Sequence, residues 1–313
     1  MAAPRMGDLR RHARELHAGR MNSRRQFLGR LAVASAAAGL SSVRTPAAPA
    51  RAGAEELLVM TYNLRFASNQ KPNAWPDRRP IVKALLDDYA PDVMGTQEGV
   101  YHQLREIAAD QPAYDWIGTG RDGGSRGEFM AIFYRKERFE PLEFDHFWLS
   151  DTPNVIGSAT WGHSNRRMVT WVRFRDRVTQ RQFHFWNTHL DHAVQPAREK
   201  GAALIRERLA KTDVAQPLFL VGDFNAYARD NPAYDLLVTE DGLTDTWYAA
   251  AERRNEDANS FNNFGPLRRE GQRIDWILAR GPVSTRATEV VLFKQGDQWP
   301  SDHFPVGAWV TLK

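Results

Sequence analysis

The run Leu220-Val221-Gly222-Asp223-Phe224-Asn225-Ala226 decides how this chain is read. Leu218 to Val221 is continuously apolar, the pattern of a strand buried on both faces, and Gly222 ends it. Asp223 and Asn225 are two apart, so on extended backbone they leave the strand end on one side while Phe224 turns to the other, into the core. A carboxylate orients water or takes its proton, and an amide donates to an oxyanion. The same two residues also suit an ordinary turn, so the pair acquires meaning only from its surroundings.

Working outward, helices are expected over 197–209, with Ala202, Leu204, Ile205 and Leu209 toward the core, and over 231–237. Alternation over 168–174 and 181–190 predicts a hairpin whose second strand runs into Asn187-Thr188-His189. Further strands are expected at 57–64, ending on Asn63, and at 92–98, ending on Glu98. The same reading gives strands at 114–118, 129–134, 139–149, 273–278, 288–293 and 306–312, and helices at 78–89 and 100–109. Residues 73–77 read as a loop, 150–165 as a long polar loop and 252–269 as a polar surface excursion. Strands outnumber helices and several are hairpin-linked, which excludes a simple doubly wound parallel sheet and favours two packed sheets with helices outside.

The chain has 313 residues, 42% of them hydrophobic, and no cysteine, so disulfides and thiolate chemistry are excluded. Its pI of 9.4 comes from one end. Residues 1–52 hold ten Arg, no Lys and two acids; removing them from the 42 basic and 38 acidic residues leaves 32 against 36. The remainder is mildly acidic, so basic pI is no argument for nucleic acid. Within the basic end, Ser23-Arg24-Arg25-Gln26-Phe27-Leu28-Gly29 precedes the Ala-rich 31–40 and the small-x-small Ala50-Arg51-Ala52. The order resembles a twin-arginine export signal. Residues 1–52 are therefore expected to be a leader starting at Met1 or Met21, read by the twin-arginine machinery. Residues 53–313 are expected to form one domain, placed in the periplasm, at the cell surface or outside the cell.

Six strand ends or adjoining loops thus present Asn63, Glu98, His189, Asp223 with Asn225, Asp275, and Asp302 with His303. Converging carboxylates repel and raise one another's pKa values, a penalty that a divalent cation removes. Oxygen-rich ligation by Glu98 with Asp302 or Asn63 favours Mg²⁺ or Mn²⁺ over zinc.

The motifs Thr-Tyr-Asn63, Thr-Gln-Glu98, Asn-Thr-His189, Gly-Asp223-Phe-Asn225, Arg-Ile-Asp275 and Ser-Asp302-His303 occur in the order of the endonuclease/exonuclease/phosphatase superfamily, which residues 57–313 resemble throughout. The superfamily includes pancreatic-type deoxyribonucleases, abasic-site endonucleases, bacterial sphingomyelinases, inositol-polyphosphate phosphatases and deadenylases. The resemblance implies a four-layer α/β sandwich of two mainly antiparallel or mixed sheets flanked by helices. It implies that Glu98, helped by Asn63, binds the metal, with Asp302 a further ligand or a partner of a histidine. Asp223 would orient and deprotonate the attacking water, and Asn225 would hold a phosphoryl oxygen. His303, steered by Asp275, would contact the phosphate. His189 would donate to the phosphate or protonate the leaving group.

Arg167, Trp148 and Trp299 are the candidates for touching substrate, with an ion pair or core packing as their other fate. The expected activity is a Mg²⁺- or Mn²⁺-dependent hydrolase of phosphate esters, monomeric, with a phosphodiester preferred. A nucleic acid, a phospholipid head group and a phosphorylated sugar or inositol all remain open as substrate. A phosphatase or sphingomyelinase-like hydrolase is the alternative, and a non-catalytic binding protein keeping the fold is the alternative of another class. A nuclease would need a basic track, for which Arg121, Arg126, Arg166 and Arg167 are available.

Overall fold

Side-chain alternation along the strands builds the layers. On β1 (Glu56–Asn63), Leu57 and Val59 face one way while Leu58, Met60 and Tyr62 face the other, and both sets are buried. On β8 (Leu218–Asp223), Phe219 and Val221 face one way and Leu218 and Leu220 the other. A strand buried on both faces needs cover on both, so these two belong at the centres of sheets covered on each side.

This computed structural model describes residues 50–163, 165–240 and 242–313, and the expected leader up to residue 49 lies outside the described residues. One sheet runs in the order β10 (Glu252–Arg254), β12 (Val283–Val290), β13 (Val306–Leu312), β1, β2 (Val93–Val100), β4 (Glu128–Arg135), β3 (Tyr114–Ile117). The other runs β5 (Phe139–Trp148), β6 (Met168–Asp176), β7 (Gln182–His189), β8, β11 (Asp275–Arg280), β9 (Thr244–Asp245). Both are mixed: β1–β2, β7–β8 and β10–β12 are parallel and the other pairings antiparallel.

The sheets pack through a Phe- and Val-rich layer that includes Val59, Val93, Phe174, Phe183, Phe185, Phe219, Val221 and Val310. Helices α1 (Trp75–Tyr89) and α2 (Tyr101–Asp110) cover the outer face of the first sheet through Ile81, Leu85, Leu104 and Ile107. Helices α3 (Gln195–Leu209) and α4 (Pro232–Leu237) cover the second through Ile205, Leu209, Ala233 and Leu237. The result is the expected four-layer α/β sandwich. A short α5 (Thr246–Ala249) follows β9.

Several expectations shift. Helix α1 starts at Trp75, because Pro76 suits a first helical turn, where no backbone donor is needed. β12 begins at Val283 and carries a bulge between Thr285 and Ala287, which breaks the alternation by which a strand is recognised. The 252–269 segment is no mere excursion. It contributes β10, and Ala258, Asn259, Ser260 and Asn262 are buried. Its polar side chains satisfy backbone locally: Asn259 Oδ1 accepts from the amides of Glu270 and Gln272, and Ser260 Oγ from that of Ile274. Residues 50–52, which the sequence reading gave to the leader, contact the domain. Arg51 bonds Asp92 and the Ala90 carbonyl, and the Ala52 amide donates to Glu56.

Candidate active site

Each inward-facing row changes character toward one end of the sandwich. On β1 it reads Leu57, Val59, Thr61, Asn63; on β7 it reads Phe183, Phe185, Asn187, His189; on β8 it reads Phe219, Val221, Asp223. β11 runs antiparallel to β8 and brings Asp275 opposite Asp223 at the same end, while parallel β7 sets His189 beside it. Register therefore gathers the polar ends of four strands from two sheets.

Between the apolar layer and the site lies a polar floor tying the sheets together. The Gln97 amide donates to Thr61 Oγ1 at 3.1 Å and to Asn187 Oδ1 at 2.7 Å. Asn187 Nδ2 in turn donates to the carbonyls of Thr96 and Ala131 at 2.8 and 2.9 Å. Gly95 allows this approach, since a Cβ there would lie 2.8 Å from the Asn187 side chain.

Above the floor, Asp223 is the hub. Asn63 Nδ2 donates to Asp223 Oδ2 at 2.9 Å and to Glu98 Oε1 at 3.1 Å. His189 Nε2 lies 3.3 Å and His303 Nε2 3.7 Å from that same Asp223 oxygen, and the Asn225 backbone amide donates to the other. The Asn225 side-chain amide sits 2.9 Å from His189 Nε2 and donates to the Leu190 carbonyl. Asp275 holds His303 Nδ1 at 3.0 Å. Phe224 is fully buried and stacks on Trp276 at 4.1 Å, so the strand end is anchored from behind.

Glu98 and Asn225 have φ of +60° and +48°, and Arg65 at the end of β1 has +52°. Three non-glycine residues in the left-handed region around one site mark backbone held against its preference by its surroundings. Arg78 supplies part of that restraint. It is fully buried, and its guanidinium donates to the carbonyls of Asn73, Leu64, Arg65, Phe66 and Pro300. It thereby clamps the loop after β1 to the segment leading into Ser301 and Asp302. Ser301 Oγ closes the same seam by donating to the Asn63 carbonyl at 2.7 Å.

Charge follows this geometry. Burial alone would raise the Asp223 carboxyl, but the His189 and His303 imidazoles hold it well below the ordinary range. Burial likewise works to lower His303, yet the carboxylates of Asp275 and Asp223 outweigh it and push it up to about 10. Glu98, which burial would raise, is lowered by the same two histidines and by Asn63. Asp302 is raised by burial, and Glu98 adds to the rise. Glu98 and Asp302 address a common point: Arg65 Nη1 is 3.9 Å from Glu98 Oε2 and Arg65 Nε is 3.7 Å from Asp302 Oδ2. A half-buried and a buried acid drawing one guanidinium at that range suit a divalent cation between oxygen donors. Two further acid–histidine groupings have ligand atoms within 4.8 Å of one another, Glu98–His189–Asp223 and Asp223–Asp275–His303.

The cavity over this network has a volume of about 380 Å³. Of the expected residues, Glu98, His189, Asp223, Asn225, Asp302, His303 and Arg167 line it, while Asn63 and Asp275 stand behind, bonded to those that do. Arg167 is 3% exposed and pairs with Asp191 at 3.7 Å, yet its Nε and Nη1 have no hydrogen-bond partner among the described residues. Donors left free beside a cavity suit an anionic ligand.

Two of the expected residues stand outside the lining of this cavity. Trp148 is buried with Met130 and Met168, and its indole donates to the Arg121 carbonyl at 2.7 Å, so it supports the cavity wall without lining it. Trp299 packs edge-on against Phe304 and donates to the Gly265 carbonyl. Each indole found an apolar bed and a carbonyl, which is how tryptophan is ordinarily accommodated. Sequence reasoning also missed Phe66, Glu128, Asn165, Phe261 and Asn263 in the lining. They reach it through loops and across strands, and only the polar character of 252–269 hinted at the last two.

No curated protein matches this chain. The sequence model of the Endonuclease/Exonuclease/phosphatase family matches residues 60–303. An endonuclease/exonuclease/phosphatase from Bacteroides vulgatus is 31% identical, with a TM-score of 0.77 over 82% of this chain and 99% of that one. A mannosyl-6-phosphatase of Bacteroides thetaiotaomicron is 33% identical, with a TM-score of 0.76 over 82% and 99%. The human Nocturnin catalytic domain, at 17% identity and a TM-score of 0.65 over 83% of this chain and 95% of that one, shares the fold. The match runs from β1 to His303 and takes in every strand end that builds the site, so this chain belongs to the endonuclease/exonuclease/phosphatase family.

Proposed function

We propose that this protein is an exported, Mg²⁺- or Mn²⁺-dependent phosphomonoesterase acting on a phosphorylated sugar. The observation that carries the reading is the Asp223–His189–His303–Asn225 cluster, set beside Glu98 at the base of one bounded cavity. Asp223, ionised, accepts a hydrogen bond from the attacking water and takes its proton as the new bond to phosphorus forms. Asn225 and His303, the latter kept protonated by Asp275, donate to the phosphoryl oxygens, where negative charge grows. His189 delivers a proton to the departing alkoxide. Arg167, which lines the same cavity, offers its free donors to the phosphate. Glu98, Asn63 and Asp302 would hold the metal, which when bound supplies positive charge to the phosphoryl group and the water.

The monoester is preferred to the phosphodiester for two reasons. The 33% identical relative is a mannosyl-6-phosphatase. Secondly, the arginines available for a nucleic-acid track are largely committed. Arg121 pairs with Glu128 at 2.6 Å, Arg166 with Asp122 at 3.0 Å, and Arg126 donates to the carbonyls of Gly123 and Asp122. Paired guanidiniums neutralise poorly the repeated charge of a polynucleotide. Export rests on the twin-arginine pattern of residues 23–52.

The test is phosphate-ester hydrolysis by the full chain, read as phosphate release from hexose 6-phosphates and inositol phosphates and as separated cleavage products of sphingomyelin, DNA and RNA, with Mg²⁺, Mn²⁺ or chelator. Metal-dependent turnover of hexose phosphate that Asp223→Asn abolishes is expected. Faster turnover of a diester would overturn the monoester reading, and turnover unaffected by chelator would overturn the metal.

A further inference from the structure

A second cavity, of about 340 Å³, adjoins the catalytic one and shares Asn225 and Phe261 with it as a common wall. Its chemistry is of a different kind. The catalytic cavity is lined by Glu98, Glu128, Asp223 and Asp302, whereas no acid is among the described residues that line the second. Two arginines are present: Arg198 donates through Nε and Nη1 to Gln195 and the Asp191 carbonyl, and Arg268 Nε pairs with Glu270 at 3.3 Å. What faces the space is aromatic and neutral: Tyr227 and Phe261, 42% and 36% exposed, and the Gln272 side chain. Gln272 is fixed in place because its backbone amide donates to Asn259 and its carbonyl accepts from Ser260. Asn225 joins the two spaces, its amide at His189 on one side and its flank on the other.

The geometry points to a second subsite that takes a neutral, polyhydroxylated ring, the sugar next to the one that carries the phosphate. Exposed aromatic faces suit the apolar face of a pyranose, and an amide suits neighbouring hydroxyls. A volume above roughly 300 Å³ is enough for a small polar ligand of this kind. The lack of an acid among the described lining residues disfavours a cation, and the aromatic and amide surface favours a neutral ring over a second phosphate. The inference rests on the sugar-phosphate reading of the adjoining site and narrows its substrate to a phosphorylated oligosaccharide.

Kinetics of the full chain on mannose 6-phosphate and on a mannobiose phosphorylated at its terminal hexose test it, with Tyr227→Ala and Gln272→Ala as variants. Wild type should show a KM about tenfold lower for the disaccharide, as expected for one or two added contacts, and each variant should lose much of that advantage. Equal KM values for the two substrates in wild type, with the monosaccharide phosphate turned over, would overturn the subsite alone. Preference for a 5′-nucleotide that Tyr227→Ala removes would also overturn it, assigning the aromatics to a base. Should neither sugar phosphate be hydrolysed, the monoesterase reading falls separately. Calorimetric titration of unphosphorylated mannobiose then decides the subsite: heat lost in Tyr227→Ala supports it, and no heat in wild type overturns it.

Discussion

The two ends of the layer between the sheets are made from the same strands and differ in what they are for. At one end Phe183, Phe185, Phe219 and Val221 pack with no polar atom to satisfy. At the other, one or two residues along the same rows, Asn187, His189 and Asp223 are equally buried and each is paired, Asn187 with the Thr96 carbonyl and His189 with Asp223. The apolar end gains free energy by leaving water. The polar end gives some back, because buried acids and histidines must be paired to be tolerated. Between them the Gln97–Asn187–Thr61 floor separates a packed core from a reactive one.

Substitution of Asp223 bears most heavily on this contrast. Asp223→Asn is expected to lower kcat by roughly 10²–10⁴-fold while the thermal midpoint moves little, since the amide keeps the shape and removes the proton acceptor. Phe219→Ala, two turns of the alternation away on the other side of Val221, should do the reverse. A loss of about 3–5 kcal/mol in chemical denaturation with kcat nearly intact is expected. If both variants lost stability alone, the division between the ends would be wrong.

Arg78→Ala sharpens the boundary. Five carbonyls lose a buried charged donor, so unfolding free energy should fall by several kcal/mol, on the order of 3 or more. On the metal reading proposed above, divalent-metal affinity measured by calorimetry should fall as well, because the segments carrying Arg65 and Asp302 separate. Arg78→Lys should recover little of either, as an ammonium cannot span the five acceptors.

Proton linkage gives a third test. His303 is raised above its ordinary value, so its contribution to stability is present in full below about pH 6.5 and is lost as pH rises toward 10. Asp275→Asn should lower the His303 titration seen by NMR in metal-free protein, since burial is then opposed only by Asp223 and, more weakly, Asp302. The variant should also lose less stability than wild type between pH 7 and pH 10. An unmoved His303 titration would separate Asp275 from its assigned role.

The smallest effect is expected from Trp299→Phe. Its indole meets Phe304, the Gly265 carbonyl and the Lys294 ammonium at the surface, so about 1 kcal/mol of stability and no change in KM are expected. A raised KM would return Trp299 to the substrate site.

The layers were legible because alternation is local: Leu57 to Asn63 and Leu218 to Asp223 state their two faces in consecutive residues. The turn from apolar to polar along those rows was legible too, and it marked Asn63, His189, Asp223 and Asp275 for the site. Metal-competent acids were also visible, since Glu98 and Asp302 stand at segment ends with no local partner in sequence. Partnership was not visible. Whether Asp275 pairs with Arg273 or His303 depends on which elements face each other; Arg273 went to Asp245 at 3.0 Å, leaving Asp275 to the histidine. The fates of Trp148 and Trp299, the commitment of Arg121 to Glu128 and the arrival of Phe261 in the cavity follow from register and loop closure across long stretches of chain. Alternation is a property of neighbours along the backbone, so the sequence determined the sheets and their polar ends. Convergence is a property of strands brought together from distant parts of the chain, so only the tertiary structure decided which of those polar groups would meet.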